Sequence, residues 1–151
     1  MARKWSYSTY GKSALGISLS VDGLDKLLEK VENAGKNIDE ACENAVNTAL
    51  PVIEESMKQG AARHRKGVGK YGTDEVYNAI TSKPAKKEGN LIYGEVGVDV
   101  ETHPKAMAAV FQEYGDGHSS CFPDPFIRPA LDNNRTTVKK IMRNEIKKLA
   151  K

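Results

Sequence analysis

Cysteine is scarce: Cys42 and Cys121 are the only two in 151 residues. Two cysteines build no disulfide framework, so a reducing compartment is the default expectation. Long apolar runs are missing too; none approaches the roughly 18 residues of a membrane span. The opening Met1-Ala2-Arg3-Lys4-Trp5-Ser6 carries two charges with no apolar stretch behind them, so it does not read as a signal peptide. Aromatic residues make up 7% of the chain. The excess of one charge sign is small: 23 Lys+Arg against 20 Asp+Glu gives +3, too little to argue nucleic-acid binding by itself. Internal repeats and low-complexity tracts are absent. Secreted, membrane, collagenous and disulfide-rich classes are thereby excluded. What is there fits about one domain. Its hydrophobic fraction of 39% suits a small core with exposed loops, or a surface completed by other subunits.

The small net charge hides a segregation. Asp22–Glu43 holds seven acids and three lysines, Lys58–Lys70 five bases and no acid, and Arg135–Lys151 seven bases against Glu145 alone. Such a distribution suits head-to-tail contact between copies, the ordinary alternative being solvated helix faces. Residues 1–15 read as a loose, flexible arm ahead of a single α+β domain over 16–151. Gly16–Val21 alternates Ile17, Leu19 and Val21 with Ser18 and Ser20, the pattern of a half-buried strand. Asp22 is a plausible N-cap for a long helix whose apolar stripe, from Leu24 to Met57, spans about nine turns. Gly35 and Pro51 interrupt that stripe, and a kink or restart is expected at Pro51. Residues 58–73 read as a mobile basic loop, with Gly60, Gly67, Gly69 and Gly72 inside it. Thr73-Asp74-Glu75 caps a short turn through Ile80. Thr81–Lys87 and Leu91–Val100 flank the hairpin signal Glu88-Gly89-Asn90, with Gly94 a bulge or close-approach point. A short helix fits Pro104–Tyr114, a loop Gly115–Pro125, and a last helix starts near Pro129. The expected fold is α+β: a long N-terminal helix and a C-terminal helix on a small, mostly antiparallel sheet.

The chemically suggestive residues form no constellation. His118-Ser119-Ser120-Cys121 has the spacing of half a zinc site, but His64, His103 and Cys42 are scattered and zinc requires three or four ligands. No metal or cofactor is expected. Cys42, in the apolar stripe, reads as a small buried hydrophobe. A Cys121/His118 nucleophilic pair lacks an orienting group and an oxyanion site. Gly67–Thr73 fails as a phosphate loop because Tyr71 follows Lys70 and a helix precedes it. Its basic neighbours Arg63, Arg65, Lys66 and Lys70 are candidate contacts for an acidic surface on another subunit or for DNA. Glu113, Asp116 and Asp124 read as exposed loop acids. No catalytic residue is assigned.

One stretch is more specific. Ala109-Val110-Phe111-Gln112-Glu113-Tyr114-Gly115, then a short loop and Pro125-Phe126-Ile127-Arg128-Pro129-Ala130-Leu131-Asp132, resembles the small head–tail joining, or tail-completion, proteins of long-tailed phages. Gly23-Leu24-Asp25-Lys26-Leu27 is similar to the start of that family's long helix, so the resemblance covers roughly residues 16–150. Asp116 stands where the family usually has Thr, and Gly72-Thr73-Asp74-Glu75-Val76 replaces its Thr-Gly-x-Leu. As architecture, Phe111, Glu113, Tyr114, Gly115, Pro125, Phe126, Arg128 and Pro129 are structural residues. Phe126 is expected as a plug between last helix and sheet, and Arg128 as a forked donor for Glu113.

The resemblance implies a non-enzymatic virion component. It would assemble as a ring at the neck, between connector and tail-terminator proteins, after synthesis in the host cytoplasm. The competing readings are a nucleic-acid-binding module using Lys58–Lys70 and the basic final helix, and a small hydrolase using His118, Cys121 or the nearby acids.

Overall fold

Leu15, Ile17 and Leu19 alternate with Gly16 and Ser18, which puts all three apolar side chains on one face of a strand. In the computed structural model, which describes residues 6–10, 13–21, 24–68, 72–118 and 120–150, they lie in β2 (Ser13–Ser20) and are fully buried. β2 is flanked by β1 (Ser6–Tyr10) and by β4 (Leu91–Val98), and β4 in turn by β3 (Ile80–Glu88). All the pairings are antiparallel, so the sheet order is β1-β2-β4-β3. Ile17 stands opposite Val96 and Leu19 opposite Gly94, so odd residues of β2 and even residues of β4 share the core face. The β3–β4 hairpin turns at Gly89-Asn90, as its sequence signal predicts, with Gly89 at φ 60°. The arm expected to be loose is corrected in part. Ser6–Tyr10 is an edge strand, with Ser6 opposite Ser18 and Tyr7 opposite Ile17. Residues 1–5 and 11–12 lie outside the described residues.

The long apolar stripe is divided between two helices, α1 (Asp25–Asn33) and α2 (Ile38–Ala61). Gly35 at φ 74° ends the first, and the Lys36 N–H donates back to the Val31 carbonyl at 3.1 Å. Asn37 opens the second, its Oδ1 accepting the Asp39 N–H at 2.9 Å. The expected N-cap Asp22 lies outside the described residues. Pro51 neither ends nor restarts α2. It is solvent-facing, and so is Asn47, whose carbonyl Pro51 leaves without a helical donor, so water can replace the lost bond.

α2 lies between the sheet and α6 (Arg135–Leu149). On the sheet side it comes so close to Gly94 that a Cβ there would stand 2.7 Å from Leu50 Cδ1 and 2.9 Å from Val46 Cγ1. Close approach explains this glycine, and the irregularity in the β3 register between Lys83 and Lys86 falls opposite it, so both halves of the expectation hold. α3 (Asp74–Ala79) is capped by Thr73 as expected, and a 3₁₀ turn at Pro104–Met107 leads into α4 (Ala108–Tyr114). The last helix is two. α5 (Ile127–Asp132) begins before Pro129 and stops at Asn133-Asn134, where the Asn134 side chain donates to the Ala130 carbonyl at 2.7 Å. Val138, Met142 and Ile146 then bury the inner face of α6. The α+β class holds, with one core shared by sheet and helices.

Candidate functional site

Phe126 is 2% exposed and rests on Gly60 in the last turn of α2; a Cβ on Gly60 would stand 2.6 Å from that of Phe126. Gln112, buried on α4, reaches the same turn, its Nε2 donating to the Gly60 carbonyl at 3.2 Å. Its neighbour Glu113 is also buried, and the carboxylate accepts the main-chain N–H groups of Phe126, Ile127 and Arg128 at 2.8, 2.9 and 3.1 Å. These are the donors a short helix leaves unpaired at its start. Glu113 therefore joins α4 to α5 through the chain itself. Arg128 does meet Glu113, through its main-chain N–H. Reading Glu113 as an exposed acid is corrected as well: sequence alone could not show that three amides converge on it.

Gly115 closes the motif. It ends α4 at φ 92°, its N–H donating to the Phe111 carbonyl at 2.8 Å, and Pro123 packs where a Cβ would point. Further along the loop, the Asp124 N–H donates to the Gln112 carbonyl at 2.7 Å. The Asp124 carboxylate accepts two bonds from Arg63, both 2.9 Å, and lies 2.8 Å from His64 Nε2. The Arg63 guanidinium, helped by His64, holds the Asp124 carboxyl below the usual carboxylate range against the opposing effect of burial. The His64 ring packs on Phe122, with centroids 4.9 Å apart. Asp124 is thus a latch between the loop before α5 and the segment after α2, not an idle loop acid.

Over residues 58–68 and 72–73 the latch corrects the reading of a mobile basic loop, and residues 69–71 lie outside the described residues. Lys58 belongs to α2 and pairs with Glu54 at 3.2 Å; Ala62–His64 is a 3₁₀ turn; and the Thr73 N–H donates to the His64 carbonyl at 2.8 Å. Of the four candidate contact residues, Arg63 is bound to Asp124, while Arg65 is bound to Asp74 at 2.9 Å and stacks 4.1 Å from the centre of the Tyr77 ring. Lys66 is exposed, with its N–H donating to Asp74 at 3.3 Å, and Lys70 lies outside the described residues. His118 is exposed and Cys121 half-buried, and no group of metal-ligating side chains occurs among the described residues. Burial pushes the Cys42 thiol up, consistent with a packing role.

Two signature aromatics point outward. Phe111 is 50% and Tyr114 58% exposed, and with Met107 they are spaced along one side of the 3₁₀ turn and α4. Phe111 also lines a cleft of about 230 Å³ together with His64, Val76, Gln112 and Phe122. Sequence reading treated these aromatics as scaffold; the signal it lacked was the exposure of one helix face.

No helix among the described residues is long and apolar enough to cross a membrane. No curated protein and no solved structure matches the chain. A family model does match, over residues 25–115, from the start of α1 to the glycine that ends α4. The Pro125–Asp132 segment lies beyond that match, but its anchor Glu113 lies within it. With well over half its length matched, the chain belongs to the HK97-gp10-like family, described as "Bacteriophage HK97-gp10, putative tail-component".

Proposed function

We propose that this chain is a non-enzymatic structural protein of the phage neck, a ring-forming subunit that completes the head–tail junction and meets connector and tail-terminator proteins. The observation that carries the reading is the division of labour within the matched segment. Gln112, Glu113 and Gly115 are occupied in holding α4 to α2 and α5, while Met107, Phe111 and Tyr114 on the same short stretch stay exposed beside a cleft. Exposed apolar strips of this kind mark contacts with other proteins.

The hydrolase alternative finds less support. Of the residues it would use, His118 is exposed, Glu113 is tied to three main-chain amides and Asp124 to Arg63 and His64. The nucleic-acid alternative is weakened because Arg63 and Arg65 are engaged with Asp124 and Asp74. Lys66 and Lys70 remain, in this reading, contacts to a neighbouring subunit or to DNA in the channel.

The test is Phe111→Ser combined with Tyr114→Ser, examined by native mass spectrometry and electron microscopy of the purified protein. Rings from the parent chain and their loss in a still-folded variant support the reading. Normal rings from the variant refute the assigned surface. A cleft that instead turns over ester or peptide substrates refutes the non-enzymatic assignment.

A further inference from the structure

The exposed side of α1 is split lengthwise by charge. At 100° per residue, Asp25, Glu29 and Glu32 fall along one edge and Lys26 and Lys30 along the other, all five solvent-exposed. The basic edge does not end with α1. Arg143 and Lys147, one turn apart on α6, face it across an open groove of about 470 Å³ with Leu24 and Leu27 at its base. Asp25 also touches this groove. None of the four cations has an ion-pair partner among the described residues, whereas the last turn of α6 pairs Lys148 with Glu145 and its first turn pairs Arg135 with Asp132.

We propose that this groove binds the acidic edge of α1 of a second copy, forming a twofold dimer. A single face carrying side-by-side acidic and basic stripes is self-complementary under one operation. A twofold axis lying in the contact plane and parallel to α1 exchanges left for right, so each acidic edge comes to lie over the other copy's basic groove. An axis perpendicular to α1 would set acid on acid. Charge complementarity thus selects both the partner and its orientation, with the two α1 helices parallel. Nucleic acid is the less suitable occupant, because a phosphate chain in the groove would run beside Asp25, Glu29 and Glu32. Twofold contacts do not propagate round a ring, so this face is separate from the ring contact proposed above, and the inference does not rest on that reading.

The experiment is sedimentation equilibrium of the full chain and of two surface variants, one carrying Arg143→Glu with Lys147→Glu, the other Glu29→Lys with Glu32→Lys. The parent chain dimerises at low salt and dissociates as salt rises from about 0.01 M to about 1 M, which shortens the screening length from roughly 30 Å to roughly 3 Å. Each variant alone self-associates more than about tenfold more weakly, because like charges now face one another. Mixed together, the two variants form a heterodimer, since one contact then pairs the two reversed sides and the other pairs the two unaltered ones. Should a reversal unfold the chain, Arg143→Gln with Lys147→Gln serves for the groove and must also weaken dimerisation. A monomeric parent chain at low salt overturns the proposal, as do variants that dimerise like the parent or fail to pair with each other. Loss of duplex-DNA binding with self-association intact also overturns it, assigning the groove to nucleic acid.

Discussion

Removing the Glu113 carboxylate tests the core of the family-matched segment. Glu113→Ala leaves three main-chain donors without an acceptor, two of them in bonds that are fully buried, those of Phe126 and Ile127. An orphaned buried donor costs about 1–3 kcal/mol, so three set a ceiling of about 9 kcal/mol. The Arg128 amide is only part-buried and a water entering the vacated space can accept from its neighbours, which brings the expected loss to about 3–5 kcal/mol. Glu113→Gln keeps one acceptor oxygen but turns an NH₂ group toward the amides, and should cost about 1.5–3 kcal/mol. Urea unfolding followed by far-UV circular dichroism is the assay. With a slope of about 2 kcal/mol per molar, the alanine variant loses about 2 M in midpoint while the slope stays unchanged. If Glu113→Gln unfolds at the parent midpoint, the carboxylate is not what holds α5 to α4, and the reasoning fails.

Phe126→Ala should lose about 3–5 kcal/mol, because the ring is buried against Gly60; unfolding at the parent midpoint would make Phe126 an exposed contact instead. Alkylation of the native protein, read by mass spectrometry, should label the half-buried Cys121 well before Cys42, whose buried thiol is pushed up in pKa; equal labelling would contradict the packing role given to Cys42. The latch has a definite pH sign. Arg63 depresses the folded-state pKa of Asp124, so the latch's contribution is full above the ordinary carboxylate value of about 3.9 and is lost as pH falls through the lower folded value. Asp124→Asn should therefore cost about 1 kcal/mol at neutral pH, in keeping with a half-exposed pair, and the difference from the parent should close in strong acid; a difference independent of pH would contradict the ion pair.

Which features the sequence disclosed follows from how far their causes reach along the chain. The hairpin at Gly89-Asn90, the Thr73 cap and the alternation of Ile17 and Leu19 are local, and each was readable within a few residues. The break between α1 and α2 was local too, signalled by Gly35 and by Asn37 with Glu40 three residues on, but the unbroken apolar stripe across it obscured the signal. Pro51 was misleading because its effect depends on which way α2 faces, a property of the whole fold. β1 was missed since a polar Ser-Tyr-Ser-Thr-Tyr run has no apolar face of its own, and β2 supplies its partner. The candidate site is the least local part of all. Glu113 reaches 13 residues forward, and Asp124 reaches 61 residues back to Arg63, separations over which residue spacing carries no information.

The same contrast bears on where function resides. Residues that stand out in a sequence invite the assumption that they touch a partner, yet Gln112, Glu113, Gly115 and Phe126 are taken up by α2, α5 and the loop between. What those bonds achieve is a fixed position for α4, a helix of seven residues that could not persist alone in water. So short an element must be held by its surroundings, and a buried carboxylate tied to three amides does that without using the outer face. Met107, Phe111 and Tyr114 are thereby left exposed on a fixed helix. Damage to the inner set should accordingly appear as lost stability in the isolated chain. Damage to the outer set should leave the chain folded and appear only on assembly, which is the distinction that separates a scaffold residue from a contact.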